Sequence, residues 1–74
     1  MEMNFHDKKY ISVPDAAKRL EIPRMTMYRW AKKGKTGRGD ALDAIKDSLT
    51  NHYFIAEESI ERLLSRYSNR LQAL

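Results

Sequence analysis

The stretch Arg24 to Lys35, RMTMYRWAKKGK, sets two guanidinium groups, two hydroxyls, an indole and three ammonium groups within twelve residues. A guanidinium offers two parallel N–H donors that match a phosphate or the O6/N7 edge of guanine. A hydroxyl donates to phosphate, and an ammonium neutralises charge without reading geometry. Together these groups suit an anion; none of them is a proton-transfer pair. The same sign dominates the surroundings. Residues 18–39 carry Lys18, Arg19, Arg24, Arg29, Lys32, Lys33, Lys35 and Arg38 against Glu21 alone, a net charge of +7, while the rest of the chain carries −3, which together give +4. One sign gathered on one segment points to a polyanionic partner, usually nucleic acid.

Other chemistries lack their residues. There is no cysteine, hence no disulfide framework and no thiolate metal site. His6 and His52 fall in an expected tail and an expected turn, so no histidine triad and no three-ligand zinc site is expected. Glu57, Glu58 and Glu61 could be paired carboxylates, but acidic residues at a helix start are explained by the helix dipole alone. The glycines of Gly34-Lys35-Thr36-Gly37-Arg38-Gly39-Asp40 match neither GxxxxGK[ST] nor a dinucleotide fingerprint. Neither enzyme activity nor a metal or cofactor is expected. No apolar run approaches the roughly 18 residues of a membrane span, and the start MEMNFHDKKY lacks a signal peptide's apolar stretch. The expectation is a soluble, cytoplasmic and nucleoid-associated protein.

The 74 residues make one domain with a small core. Residues 1–9 show no periodicity and read as a flexible tail, leaving 10–74 as the domain. Tyr10 and Ile11 fit a very short strand. Ser12 stands three residues before Asp15, the capping-box spacing, with Pro14 in the first turn. Val13, Ala16, Ala17 and Leu20 then follow at helical spacing, which predicts a helix over 13–20 with a small inner face. Glu21-Ile22-Pro23 breaks it and opens a second helix to about Lys33, closed by Gly34. There Met27, Trp30 and Ala31 face inward with Leu20 and Ile22, leaving Arg24, Met25, Thr26, Tyr28, Arg29, Lys32 and Lys33 outside. Leu42–Asp47 and Tyr53–Ile55 read as two strands of a hairpin around the polar turn 48–52, anchored by Ile45, Phe54 and Ile55. A last helix from about Glu57 carries Ile60, Leu63, Leu64, Tyr67, Leu71 and Leu74 on one stripe, with Arg66 and Arg70 toward its negative end. The order helix, turn, helix, hairpin, helix is that of a winged helix-turn-helix, mainly α with a small β-hairpin.

The runs YISVPDAAKRLEIPRMTMYRWAKKGK, LDAIKD and YFIAEESIERLL, over about residues 10–67, resemble the small excisionase-type DNA-binding proteins and the related MerR-type domains. The more specific piece is Thr26-x-Tyr28-Arg29-Trp30-x-x-x-Gly34-Lys35. The resemblance implies that Arg24, Thr26, Tyr28 and Arg29 face the major groove, that Met27 and Trp30 are core, and that the tip of the 47–52 hairpin meets a minor groove. Two features depart from the family. The link Thr36–Asp40 is longer than usual, and the wing, often arginine-rich there, carries Asp40, Asp43 and Asp47 against Lys46 and His52.

The chemistry of the residues assigns the same roles. Arg24 and Arg29 can read guanine, Thr26 and Tyr28 can donate to phosphate, and Lys18, Arg19, Lys32, Lys33, Lys35 and Arg38 can neutralise the backbone. Lys46, Thr50, Asn51 and His52 form the wing set. The expected function is sequence-specific binding of double-stranded DNA, as an excisionase-like architectural factor acting with an integrase or as a small transcription regulator. A solution monomer is expected, whose copies meet on DNA. The alternative is the DNA-binding head of a longer MerR-type regulator, because positions 60, 64, 67, 71 and 74 keep a heptad spacing. RNA binding is disfavoured for want of an exposed aromatic platform on a strand.

Overall fold

The computed structural model describes the backbone of residues 2–72 and the side chains of residues 4–66. Seven elements follow in order: β1 (Glu2–Phe5), β2 (Lys8–Ser12), α1 (Val13–Leu20), α2 (Arg24–Lys33), β3 (Ala44–Lys46), β4 (Tyr53–Ala56) and α3 (Glu57–Gln72). The strands form one antiparallel sheet in the order β1-β2-β4-β3, against which three helices pack.

The helical part follows the sequence reading. Ser12 has extended backbone and its hydroxyl accepts from the Asp15 N–H at 3.4 Å, closing the N-terminus of α1 with Pro14 in the first turn. Glu21 turns the chain out of α1 in the left-handed region, φ 56°, and Gly34 does the same after α2 at φ 76°. Ile11, Ala16, Ala17, Leu20, Met27, Ala31, Leu42, Ile55, Ile60 and Leu63 fill one buried cluster, with Val13, Ile22, Trp30 and Leu64 half-buried around it. The small Ala16 and Ala17 let α2 lie close to α1. Burial of about 1.5–3 kcal/mol per large apolar side chain drives the packing.

The sheet differs from expectation in four ways. Residues 2–9, expected as a flexible tail, are strand: Glu2 to Phe5 pair with Ile11 to Lys8 across a two-residue turn in which His6 and Asp7 both have positive φ. That is the backbone of a type I′ hairpin turn. The very short strand expected at Tyr10-Ile11 is five residues long, because Tyr10, Ile11 and Ser12 also pair with Ala56, Ile55 and Phe54 of β4. The fold therefore holds a four-stranded sheet rather than a single small hairpin.

The strand expected over Leu42–Asp47 is restricted to Ala44–Lys46. Leu42 donates its N–H to the Gly34 carbonyl and Asp43 donates its N–H to Ser59 Oγ, so both N–H groups serve the helices, and only the Asp43 carbonyl, which accepts from Ala56 of β4 at 2.8 Å, still meets the neighbouring strand. β4, expected at Tyr53–Ile55, extends to Ala56. Its alternation explains why it is apolar on both faces: Ile55 enters the helical core, whereas Phe54 and Ala56 join Tyr10 and Ile45 in a second cluster on the other side. Phe5 of β1 sets its ring edge against Tyr10, with centroids 6.2 Å apart. No helix among the described residues is long and apolar enough to cross a membrane.

Candidate nucleic-acid interface

The three residues Glu21-Ile22-Pro23 position α2. The Ile22 N–H donates to the Ala17 carbonyl at 3.0 Å, and the Met27 N–H to the Pro23 carbonyl at 3.1 Å, so the chain passes from one helix to the next without slack. Burying Met27 and Ala31 then fixes the rotation of α2. Arg24, Met25, Tyr28, Arg29, Lys32 and Lys33 are turned outward, whereas Thr26, expected outside with them, is half-buried. Trp30, expected in the core, is only half-buried: it packs on the core while also lining an outer cleft. The broad indole spans both because it sits at the edge of the apolar stripe.

This cleft, of about 520 Å³, lies between α2 and the loop after it. Thr26, Arg29 and Lys33 line it from the helix, Lys35 and Arg38 from the loop, and Trp30 from behind. The loop is built, not slack. Thr36 is buried, and its hydroxyl accepts from the Arg38 and Asp40 N–H groups at 3.2 and 3.1 Å. The Thr36 N–H donates to the Asp40 carbonyl at 2.9 Å, and the Asp40 carboxylate takes an ion pair from Arg66 of α3. Lys35 and Ala41 bridge the ends of the loop. At Gly37, a Cβ would lie 3.6 Å from Trp30 Nε1, so the loop follows the indole closely.

The cations divide into two sets. Lys18, Arg24, Arg29, Lys32, Lys33 and Lys35 are exposed and form no ion pair among the described residues. Arg19, by contrast, donates to Glu57 Oε2 at 2.9 Å, a carboxylate that Lys9 also approaches at 3.6 Å. The Arg19 hydrogen bond, and then the Lys9 charge, hold the Glu57 carboxyl below its ordinary value. Lys8 and the Tyr10 hydroxyl both donate to Asp43 Oδ2 at 3.1 Å. Burial, followed by the Asp43 hydrogen bond, pushes the Tyr10 phenol up.

The β3–β4 hairpin stands beside α2 because the Tyr28 and Tyr53 rings meet edge to face, centroids 5.4 Å apart. Tyr28 is thus partly a packing residue, still 45% exposed. Lys46, Thr50, Asn51 and His52, the expected wing set, are all exposed, with the Lys46 ammonium 6.0 Å from the Tyr53 ring. The tip is held by Asp47, whose carboxylate accepts from the Leu49 N–H at 3.0 Å and the Thr50 hydroxyl at 3.1 Å. Those bonds, the Leu49 N–H first, keep the Asp47 carboxyl below its ordinary range. The tip therefore uses Thr50 internally and presents Leu49, 92% exposed.

Sequence reasoning missed Thr36, Tyr53 and Leu49. Only the Asp47-x-x-Thr50 spacing, which suits a side chain capping its own turn, carried a local signal for the last. Among the described residues no group of three or more His, Cys, Asp or Glu side chains could hold a metal ion. Tyr67, Leu71, Leu74 and Arg70 lie outside the described side chains, so the heptad reading has no structural counterpart here. The model of a family described as a helix-turn-helix domain matches residues 10–68. No curated protein and no solved structure matches the chain.

Proposed function

Because the chain belongs to this helix-turn-helix domain family, in which the second helix characteristically meets nucleic acid, we propose that it is a sequence-specific double-stranded DNA-binding protein. The observation that carries the reading is the exposed cation set of α2 and its flanks, Lys18, Arg24, Arg29, Lys32, Lys33 and Lys35, which forms no ion pair among the described residues and of which Arg29, Lys33 and Lys35 line one cleft. α2 lies in the major groove with Arg24 and Arg29 toward base edges. Thr26 and Tyr28 reach the near phosphates, and Lys18, Lys32, Lys33, Lys35 and Arg38 follow the backbone. Arg19 is subordinate, because Glu57 already holds it. The β3–β4 hairpin is the wing, and its tip lies over the adjacent minor groove.

The biological role is that of an excisionase-like architectural factor, working with an integrase and with neighbouring copies on DNA, or of a small transcription regulator of the same build. No catalytic step and no cofactor enters the reading. The protein is a monomer in solution, since Ile60, Leu63 and Leu64 of α3 are committed to the core. The second reading, a DNA-binding head of a longer coiled-coil regulator, draws on the continuation of α3 to Gln72. Selection from a random duplex library tests the proposal. One enriched sequence, bound tightly and competed poorly by other duplexes, is the expected result, and uniform weak binding to every duplex overturns it. Sedimentation equilibrium at tens of micromolar without DNA separates the monomer from a coiled-coil dimer.

A further inference from the structure

Among the described residues four large apolar side chains are exposed, and two of them, Phe5 and Tyr28, have ring partners. Leu49 is the extreme case at 92% exposure, on the outermost turn of the β3–β4 hairpin. A lone surface leucine is ordinary. Its mounting is less so. Asp47 ties the turn from inside through Leu49 N and Thr50 Oγ1, the Asn51 N–H donates to the Asp47 carbonyl at 2.7 Å, and the Asp47 N–H donates to the His52 carbonyl at 2.8 Å. Asn51 completes the turn in the left-handed region, φ 62°. None of these bonds involves the Leu49 side chain, so a rigid frame holds an apolar group out into solvent.

We propose that Leu49 is an apolar wedge that enters the minor groove at a deformable base step and kinks the duplex. The proposal rests on the DNA-binding reading above. Lys46 and Asp47 cancel in charge, so the hairpin has little electrostatic reason to enter a groove. Inserted leucine needs none: it partly unstacks one step and bends the duplex, while a neighbouring asparagine reads the A·T-versus-G·C pattern of the minor groove. Asn51 occupies that neighbouring place. The tip follows on from Tyr53, whose ring meets Tyr28 of α2, so the hairpin that carries Leu49 is anchored to the flank of the helix that the reading places in the major groove. A protein partner fits less well, because one leucine among Ser48, Thr50 and Asn51 is far short of the roughly 800 Å² per side of a standard interface.

The test uses the full chain and a duplex recovered from the random library, with 2-aminopurine at successive positions beside the α2 site and a donor–acceptor pair on the ends. Wild type is expected to raise 2-aminopurine fluorescence several-fold at one step, preferably TA or CA/TG, and to shorten the end-to-end distance. Leu49→Ala should lose both signals with an unchanged melting temperature and weaken binding on the order of ten-fold or less, because the lost burial is offset by stacking that is no longer broken. Leu49→Met should retain the kink. Wild-type binding with no fluorescence rise and no bend overturns the wedge and leaves DNA binding standing. A kink that persists in Leu49→Ala also overturns it, as does a Leu49→Ala defect confined to capture of a protein partner. Absence of any duplex binding by wild type at low salt overturns the DNA-binding reading itself.

Discussion

The two sides of this small domain treat charge in opposite ways. On the side of the sheet and α3, acids are met by bases, Asp43 by Lys8 and Glu57 by Arg19 and Lys9, and Arg66 of α3 also answers Asp40 of the loop after α2. On the side of α2, Arg24, Arg29, Lys32, Lys33 and Lys35, with Lys18 at the flank, have no such partners among the described residues. Exposed ion pairs contribute about 0–1 kcal/mol each, so the first side gains register more than stability. On the second side Lys18, Lys32 and Lys33 gain from the negative ends of the α1 and α2 dipoles, but no carboxylate offsets the mutual repulsion of the set. Charge left without a carboxylate partner suits an arriving polyanion, whereas answered charge is part of the scaffold.

The largest expected effect tests that division directly. Neutralising six phosphates releases about 0.9 counterion each, so log–log plots of affinity against salt should slope near −5. Between 50 and 200 mM salt, affinity should then fall roughly a thousand-fold. A filter-binding or anisotropy titration measures it. A slope near zero with an intact fold would erase the distinction between the two sides.

Next comes a pair of substitutions that the comparison separates. Ile60 is fully buried, and Ile60→Ala should cost about 2–5 kcal/mol, enough to lower the melting temperature by 10 °C or more in a domain of this size. Lys33→Ala, in contrast, should stay within about 0.5 kcal/mol of wild type. Trp30→Ala, at the boundary, should lower both stability and DNA affinity. Thermal melts followed by DNA titration of the folded variants check all three. A large thermal loss in Lys33→Ala would move that residue to the scaffold.

Within the unanswered side, reader and clamp should come apart. Arg29→Ala should cost about 1–3 kcal/mol on the selected site and little elsewhere, whereas Lys33→Ala should weaken every sequence alike and lower the salt slope by about one. Equal losses on all sequences from both variants would remove Arg29 from base reading.

The unanswered side was legible in the sequence and much of the answered side was not, for a physical reason. Ser12, Pro14, the Ala16-Ala17-Leu20 stripe, the Pro23 break and Gly34 act within a few residues of themselves, so local rules place α1 and α2 and turn Arg29 outward. The sheet is joined at a distance: Ile11 meets Ile55, and β1 reaches the rest of the sheet through β2. Nothing in EMNFHDKK alternates strongly, and the His6-Asp7 turn lacks the glycine that usually marks two successive positive φ angles. The loop after α2 reads as a long glycine-spaced link, yet Thr36, buried and bonded to Asp40, makes it a wall of the cleft. A threonine's burial depends on partners that its neighbours do not announce. Trp30 was placed too deep because helical periodicity gives a face, not the depth of a wide ring at its edge.

The smallest effect tests the border between the two sides, which runs through Arg19. It belongs to the basic segment by sequence and to the paired set by structure, since Glu57 accepts its guanidinium at 2.9 Å. The Arg19 hydrogen bond, with the Lys9 charge, lowers the Glu57 carboxyl from its ordinary 4.5, so the ionised form is favoured in the folded state. A lowered acid contributes stability at pH values above 4.5, and that contribution is lost as pH falls through the folded value. Glu57→Gln should therefore lower the melting temperature slightly at pH 7 and make its decline below about pH 4.5 shallower than in wild type. The same substitution removes the charge that holds Arg19, leaving a neutral amide oxygen as its acceptor. If the guanidinium then reaches a phosphate, the salt slope should steepen by about 0.9, one extra counterion's worth. Melts from pH 3 to 7 and salt titrations at pH 7 give the two readouts independently. A shallower acid decline with an unchanged slope would confine Arg19 to the scaffold and put the border between Lys18 and Arg19. A steeper slope would instead show that one carboxylate on α3 holds back a cation that faces DNA.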